Sequence, residues 1–177
     1  MLDWAEGIWL SISWTELFGL AILSALVLSL AGHLLPLART VRGVIEIKAA
    51  PAHLFPLMAD AQNQLSWRRE LAAVNELADG GWSETYASGE VIRFRTLESR
   101  PYRHLSRHFF SDRGFQGHWR VELIPLDNGL TRLELEEEIE VHHPWKRLVS
   151  HVLFDHKARL ESYLADLAAA AKAKRWQ

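Results

Sequence analysis

Glu137 is the side chain of this 177-residue sequence that is best placed to do chemistry. It lies in the segment Thr131–His143, where odd positions are mostly apolar and even positions are polar or charged. Because alternate residues of a strand face opposite sides of a sheet, the pattern predicts that Glu137 points inward with Leu135 and Ile139. A buried carboxyl group must be paired, hydrogen-bonded or protonated, and it can bind a ligand hydroxyl or act as an acid or base.

Two structural alternatives for Glu137 stay open. A bulge in the strand would turn the carboxyl group toward solvent. Alternatively, an arginine such as Arg93, Arg95 or Arg107 would pair with it inside the domain. Neither alternative needs a ligand, because an ion pair with good hydrogen bonds can satisfy a buried carboxylate by itself.

The segment Pro144–Lys174 is predicted to form one long helix, because its apolar residues recur at helical spacing. The stripe consists of Val149, Val152, Leu153, His156, Leu160, Tyr163, Leu164, Leu167 and Ala171. His156 would meet Glu137 or a ligand across the interior, although a single histidine on an apolar stripe is also typical of a satisfied core residue. The amphipathic ring of Tyr163 suits either core packing or a pocket hydroxyl group.

Nine histidines raise the question of a metal site, but their spacing argues against one. His151 and His156 are five residues apart on a predicted helix, which is a poor spacing for two ligands. His104, His108 and His118 could share a sheet face, but no acidic partner is evident. The chain has no cysteine, no HExxH motif, no GxSxG motif and no phosphate-binding glycine loop. We therefore expect no metal and no cofactor.

Charge is nearly balanced beyond residue 35. All 20 Lys and Arg residues, and all but three of the 22 Asp and Glu residues, lie in that part of the chain. A nucleic-acid-binding protein would show a clustered basic face, which is missing here. Roughly 140 residues is a common size for one domain. The sequence thus predicts a single domain over residues 38–177 and no nucleic-acid partner.

The segment Leu17–Leu35 contains no Asp, Glu, Lys or Arg and is close to the roughly 20 residues that cross a bilayer. A cleaved signal peptide would begin with basic residues and carry a shorter apolar core, and a soluble core helix would be apolar along one stripe only. We therefore predict a single transmembrane helix over residues 17–37. Membrane lipid is then a partner of the chain.

The flanks of this segment predict its orientation. Basic residues follow it at Arg39, Arg42 and Lys48, and none precedes it, so the positive-inside rule places the domain in the cytoplasm. The expected location is the inner membrane of a bacterium. The stub over residues 1–16 is rich in tryptophan, a residue that favours the headgroup layer. These tryptophans are Trp4, Trp9 and Trp14.

Small residues also recur along the span. Ala21, Ala25 and Ser29 form a line at helical spacing that could pack against another span. Self-association through this helix is therefore a further expectation.

Seven strand-like segments separated by short turns lie before the C-terminal helix. They are Val41–Lys48, Leu71–Leu77, Trp82–Ser88, Glu90–Leu97, Leu105–Ser111, His118–Leu126 and Thr131–His143. Consecutive strands joined by short turns imply antiparallel pairing. The inward sets are predicted to be Trp119, Val121 and Leu123 in one strand and Ile92, Phe94 and Thr96 in another. A helix over Ala52–Ala61 follows the first strand, and a break or second short helix surrounds Trp67. One sheet covered by one long helix gives an α+β domain.

This order resembles the helix-grip fold of the START-like or SRPBCC superfamily, the polyketide cyclase/dehydrase and lipid-transport group. The resemblance spans about residues 41 to 170. It is carried by the opening strand and turn IEIKAAP (45–51) with Phe55, by Trp67, by FQGHW (115–119), by ELIP (122–125) with GLT (129–131), by VHHP (141–144) and by YLADL (163–167). Leu130 departs from the family pattern, in which glycine is often followed directly by threonine, and it suggests a shifted hairpin.

The resemblance implies a curved antiparallel sheet of about seven strands gripping the C-terminal helix, with a cavity between them for a hydrophobic small molecule such as a lipid, quinone or polyketide. The residues expected to line this cavity are Phe55, Trp67, Phe94, Trp119, Val121, Leu135, Glu137, His156, Leu160 and Tyr163. The resemblance does not imply catalysis. Three hypotheses follow: a membrane-anchored binder, a cyclase- or dehydratase-like enzyme using Glu137 with His156 or Tyr163, and an interaction module of an envelope complex.

Overall fold

The computed structural model describes residues 13–173. The predicted stub therefore lies largely outside the described residues, and Trp4 and Trp9 lie wholly outside them. The helices are α1 (Trp14–Leu34), α2 (Pro51–Ala59), α3 (Ala61–Gln64), α4 (Pro144–Leu153) and α5 (His156–Ala173). The strands are β1 (Ala38–Ile47), β2 (Leu71–Glu76), β3 (Trp82–Tyr86), β4 (Val91–Arg100), β5 (His104–Ser111), β6 (Gln116–Pro125) and β7 (Thr131–Glu140), with a short 3₁₀ turn at Asp127–Gly129 between β6 and β7.

The seven strands form one antiparallel sheet in the order β1-β7-β6-β5-β4-β3-β2. Strands β2 to β7 follow one another as a meander, and β1 closes the far edge by pairing with β7. In this register Glu137 lies between Val41 of β1 and Trp119 of β6. The fold is the helix-grip fold that the sequence predicts.

The predicted alternation is confirmed in β6 and β7. All five odd residues of β7 are buried, and so are Trp119, Val121 and Leu123 of β6. Strand β4 differs at its end, where Thr96 is exposed although Ile92 is buried. Thr96 still pairs in register with Arg107, and a bulge between Thr96 and Glu98 then shifts the register against β5.

The predicted single helix over 144–174 is wrong, because two non-helical residues, Phe154 and Asp155, separate α4 from α5. Phe154 is extended, and Asp155 begins the second helix by accepting the backbone N–H of Ala158 at 2.9 Å through Oδ1. The break separates the predicted stripe into two parts. Val152 is 74% exposed, so it does not cover the sheet. Of these two helices, α5 is the one that buries its apolar face in the core, through Leu160, Tyr163, Leu164, Leu167 and Ala171.

Helix α1 is a 21-residue apolar helix, long enough to cross a membrane, and nearly all of it is exposed. Only its last turn meets the rest of the structure. A Cβ atom at Gly32 would collide with the backbone carbonyl of Pro144 at the start of α4. The guanidinium of Arg147 in α4 donates to the carbonyl oxygens of Gly32 at 3.2 Å and Leu35 at 2.9 Å. The end of α1 is therefore an integrated part of the folded domain.

A charged pocket between the sheet and the C-terminal helix

A small pocket of about 40 Å³ lies between the sheet and α5. A space of this size holds a few water molecules. Its walls come from the segment around α3, from β3 to β7 and from α5. The lining residues are Gln64, Arg68, Glu84, Tyr86, Phe94, Arg107, Trp119, Glu137, Arg159, Leu160 and Tyr163.

Arg68 enters the pocket from the segment between α3 and β2. The next residue, Arg69, holds this segment against α5 by donating to both carboxylate oxygens of Asp166. Arg68 itself is 7% exposed and donates to Glu84 at 2.8 Å and to the Tyr86 hydroxyl at 3.0 Å. Burial favours the neutral guanidine, but the neighbouring carboxylates, Glu84 first, outweigh it and keep the pKa of Arg68 well above its usual value.

Glu84 is held by three donors although it is almost fully buried. Its carboxylate accepts from the Trp82 indole at 3.0 Å, from the Tyr86 hydroxyl at 3.0 Å and from Arg68. These bonds replace the water that a buried carboxylate loses. The cluster is therefore a fixed wall of the pocket.

Arg107 enters from β5 and lies between two aromatic rings. Its guanidinium carbon is 4.6 Å from the ring centre of Trp82 and 5.3 Å from that of Trp119. One terminal nitrogen donates to the carbonyl oxygens of Met58, at 2.6 Å, and Ala59, at 3.2 Å. Burial lowers the pKa of Arg107, since no carboxylate contacts it directly.

Glu137 points inward, as its position in β7 predicts, and is 6% exposed. The first alternative is wrong, because β7 has no bulge at this position. The second is correct in kind, since the carboxyl group pairs with an arginine, but that arginine is Arg159 of α5 and not Arg93, Arg95 or Arg107. The distance between Arg159 Nη2 and Glu137 Oε1 is 3.3 Å, which is long for a charged hydrogen bond. Burial therefore outweighs this partner and raises the pKa of Glu137.

Tyr163 lines the pocket, and its buried hydroxyl has no hydrogen-bond partner within residues 13–173. Its ring makes edge contacts with Trp67 and Trp119, at 5.4 Å and 6.0 Å between ring centres. Burial raises the pKa of Tyr163 to about 12, so the hydroxyl keeps its proton and can donate it to an acceptor. A buried polar group without a protein partner is costly, which makes this hydroxyl a candidate contact for a ligand or a water molecule.

Two other polar atoms of the pocket-lining residues are also buried without a hydrogen-bond partner among the described residues. The Nε atoms of Arg68 and Arg107 are buried and have no partner in the described part of the chain. With the Tyr163 hydroxyl, which can both donate and accept, they make three unpartnered groups that can donate a hydrogen bond. The matching group is an acceptor oxygen, such as a carbonyl, a carboxylate or a water molecule.

Half of the ten residues predicted to line a cavity do line this pocket. They are Phe94, Trp119, Glu137, Leu160 and Tyr163. Trp67 lies behind the pocket, against the ring of Tyr163. Phe55 contacts Tyr102 instead, and Val121 and Leu135 are buried in the core.

His156 does not meet Glu137. It is buried near the start of α5, where its Nε2 lies 3.3 Å from the Ser150 hydroxyl. There it lines a different surface depression, with Arg39 and His151 among its neighbours. His156 is the first residue of α5 and therefore lies at the N-terminal end of this helix.

The residues that sequence analysis missed are the polar ones. They are Gln64, Arg68, Glu84, Tyr86, Arg107 and Arg159. Alternation in Trp82–Tyr86 is the signal that would have found Glu84, because both of its neighbours on that face are aromatic. Arg159 lies four residues before Tyr163, and so on the same helix face.

The pocket differs from the expected apolar hollow in size and in polarity. Three guanidinium groups and two carboxyl groups line it. Within residues 13–173 no three His, Asp or Glu side chains come together as a metal site. The arrangement can hold a small oxygen-bearing group by donating hydrogen bonds to it.

Comparison with known proteins gives one family. The family model described as "Polyketide cyclase / dehydrase and lipid transport" matches residues 38–172. No curated protein sequence matches the chain.

Solved structures share the fold at low sequence identity. A START superfamily protein from Mycobacterium smegmatis is 17% identical, with a TM-score of 0.59 over 76% of this chain and 97% of that one. The ZhuI aromatase/cyclase from Streptomyces sp. R1128 is 12% identical, with a TM-score of 0.64 over 76% and 94%. Norcoclaurine synthase from Thalictrum flavum is 10% identical, with a TM-score of 0.62 over 78% and 96%.

Proposed function

Because the chain belongs to the polyketide cyclase/dehydrase and lipid transport family, we propose that it is a membrane-anchored domain that binds a hydrophobic small molecule. The candidates are a lipid, a quinone or a polyketide-like compound. The ligand carries an oxygen at one end, and this oxygen enters the charged pocket between the sheet and α5. The observation that carries this proposal is Tyr163, which lines the pocket and whose buried hydroxyl has no partner among the residues that the structure describes.

The polarity of the pocket supports an acceptor on the ligand. Tyr163 and the Nε atoms of Arg68 and Arg107 are donors that lack acceptors. Arg68 pairs with Glu84 and Glu70, and Arg159 with Glu137 and Glu90, but Arg107 has no carboxylate partner among the ion pairs of the described residues. Its charge therefore favours a ligand oxygen with partial or full negative charge. A ligand that is purely hydrocarbon would leave these donors unsatisfied.

The small volume of the pocket requires one wall to move for a larger ligand. Arg159 is the charged lining residue that reaches solvent, with 27% of its side chain exposed. Its ion pairs are long, at 3.3 Å to Glu137 and 3.8 Å to Glu90. Displacing Arg159 toward solvent would open a path to the surface and leave Glu137 free for the ligand.

The membrane anchor is supported by α1. It is apolar on all sides, and at 1.5 Å per residue it is about 30 Å long, the thickness of a hydrocarbon core. Arg147 hydrogen-bonds to its last turn, which favours an anchor retained with the folded domain over a cleaved signal sequence. The basic residues that follow α1 favour a cytoplasmic domain at the inner membrane of a bacterium. A tether at this place raises the effective concentration of a membrane-dissolved ligand.

The test is to extract the full chain in mild detergent and identify the co-purifying small molecules by mass spectrometry. We expect an oxygen-bearing amphiphile whose occupancy falls at least tenfold in Tyr163→Phe. The matched control is Tyr102→Phe, which removes a hydroxyl from an exposed tyrosine. Equal occupancy in both variants, or recovery of no small molecule from the native chain, would contradict the proposal.

An enzymatic function is the second candidate, and one observation favours it. Glu137 and Tyr163 line the same pocket, and burial raises the pKa of both groups, as in many acid–base pairs. Two of the fold relatives are a cyclase and a synthase by name. His156 lies away from the pocket, so Tyr163 is the better partner for Glu137. Glu137→Gln would then abolish turnover of a bound ligand while the chain still folds.

The third hypothesis is an interaction module of an envelope complex. Its support is the line of small residues on α1, since Ala21, Ala25 and Ser29 are all exposed. Crosslinking in native membranes separates this function from that of a solitary binder.

A further inference from the structure

A second, apolar groove lies between α4 and the turn that joins β5 to β6. It has a volume of about 310 Å³. Apolar and aromatic side chains make most of its lining, and its two charged residues are both basic. The lining residues are Arg113, Gly114, Phe115, Val141, Trp145, Lys146, Val149, Ser150 and Phe154.

Helix α4 presents an apolar stripe next to this groove. Trp145, Val149 and Val152 recur at spacings of four and three residues, and so lie on one side of the helix. Trp145 is 49% exposed and Val152 is 74% exposed. Phe154, just beyond the helix, is also exposed. Such a surface is costly in water and is typical of a contact with lipid or with another chain.

The position of α4 beside the end of α1 favours lipid over another protein chain as the contact of this surface. Gly32, in the last turn of α1, packs against Pro144 at the start of α4. Arg147 of α4 joins the two helices by donating hydrogen bonds to the carbonyl oxygens of Gly32 and Leu35. If α1 spans the bilayer, residues packed on its last turn lie at the depth of the headgroups, where tryptophan is favoured. The bilayer is therefore the surface closest to the exposed stripe.

The charges of the groove match an anionic headgroup. Lys146 and Arg113 stand together at the rim, where the Lys146 ammonium donates to the Arg113 carbonyl oxygen at 3.0 Å. Arg113 also donates to the Ser88 carbonyl oxygen, and neither cation has a carboxylate partner among the ion pairs of the described residues. Basic side chains beside an apolar surface bind anionic phospholipids.

We propose that α4 and Phe154 lie in the membrane interface and that the adjoining groove binds an anionic phospholipid of the bilayer. Its acyl chain lies along Phe115, Val149 and Phe154, and its phosphate contacts Lys146 and Arg113. This inference rests on the membrane-anchoring part of the proposed function, but not on the ligand of the charged pocket.

The first experiment measures the depth of α4 in the membrane. Because the chain has no native cysteine, Val152→Cys carries a single fluorophore in the full chain reconstituted in vesicles of phosphatidylcholine and phosphatidylglycerol. Asp127→Cys is the matched control, since it is exposed in the hairpin at the opposite end of β6, roughly 30 Å from Phe115. We expect lipids with a spin label near the headgroup to quench the label at 152 at least threefold more than the label at 127.

Flotation of the same vesicles separates the two proposals. If the chain does not float with the vesicles, the anchor itself is wrong. If it floats but the labels at 152 and 127 are quenched equally, the interfacial position of α4 is wrong and the anchor stands.

The second experiment tests the choice of lipid. The full chain is extracted from the same vesicles, and the ratio of bound phosphatidylglycerol to phosphatidylcholine is measured by native mass spectrometry. Lys146→Ala and Arg113→Ala should each lower this ratio, by about fivefold per basic residue. Arg103→Ala, an exposed arginine near the distant hairpin, should leave it unchanged. An unchanged ratio in all three variants would overturn the assignment of the phosphate to this rim.

Discussion

The carboxyl group of Glu137 on β7 lies 3.3 Å from the guanidinium of Arg159 on α5. This pair joins the middle of the sheet to the helix that covers it, 22 residues apart in the chain. It also forms the side of the charged pocket that is nearest to solvent, because Arg159 is partly exposed and Glu137 is not. Stability and ligand access therefore depend on the same contact.

Arg159→Leu should destabilise the domain at neutral pH. The substitution leaves the Glu137 carboxylate buried without its partner, and we expect a loss of about 1–3 kcal/mol in the free energy of unfolding, discounted for the exposure of Arg159. Denaturant unfolding in detergent measures it. Adding Glu137→Gln should recover most of the loss. Arg132→Ala, which breaks an exposed pair with Glu46, should cost less than 1 kcal/mol.

His156 should make the domain sensitive to acid. Burial, followed by the charge of Arg159, lowers the pKa of His156 to about 4. The unfolded chain, with an ordinary histidine pKa near 6.5, then binds more protons than the folded chain between these two values. The contribution of the neutral His156 to the free energy of unfolding is fully present above about pH 6.5. It falls by about 2–3 kcal/mol as the pH drops toward 4.

His156→Phe removes this dependence. The free energy of unfolding of the native chain minus that of the variant, measured between pH 7 and pH 4.5, should decrease as the pH falls. A difference that stays constant with pH would show that His156 titrates alike in the folded and unfolded states.

Gly32→Ala should loosen the junction between α1 and α4. An added Cβ atom meets the backbone carbonyl of Pro144, so one of the two helices must shift, at a cost of about 1–3 kcal/mol. Gly19→Ala is the matched control, because a Cβ atom there has open space and alanine favours helix. Thermal unfolding in detergent should show a lower midpoint for the first variant only. Equal midpoints would contradict the close packing.

Ala25→Ile should reduce self-association of α1 if the line of small residues forms its interface. The larger side chain prevents close approach of two helices. Val27→Ile lies about 200° around the helix and serves as the control. Crosslinking in native membranes should yield fewer dimers for Ala25→Ile alone. The same dimer yield in both variants would exclude this interface.

The fold was largely predictable from local pattern. The strict alternation in β7 predicted which residues face the core, including Glu137, because the side chains of a strand have a period of two. The break at Asp155 was not predicted. Apolar residues continue through it at helical spacing, and only the capping contact of Asp155 with Ala158 shows where α5 begins.

The site was predictable only in part. Tyr163, Trp119 and Phe94 were predicted because aromatic residues at inward positions of a strand or helix face the same interior. Arg68 was missed, and Arg107 was named only as a possible partner of Glu137, with which it does not pair. The contacts that hold them inside include Glu84 for Arg68 and the Met58 carbonyl oxygen for Arg107, both distant in the chain. Nothing local distinguishes such an arginine from an exposed one.

By itself the sequence determined an uncharged 19-residue stretch, the inward direction of Glu137 and the order of elements that places the chain in its family. The tertiary structure decided that Arg159 is the partner of Glu137, that the pocket between the sheet and α5 is charged rather than apolar, and that α4 packs on the end of α1. Side-chain direction follows from backbone geometry between neighbours in the chain. The pairing of charges depends on strand register and helix placement, which only the whole fold sets.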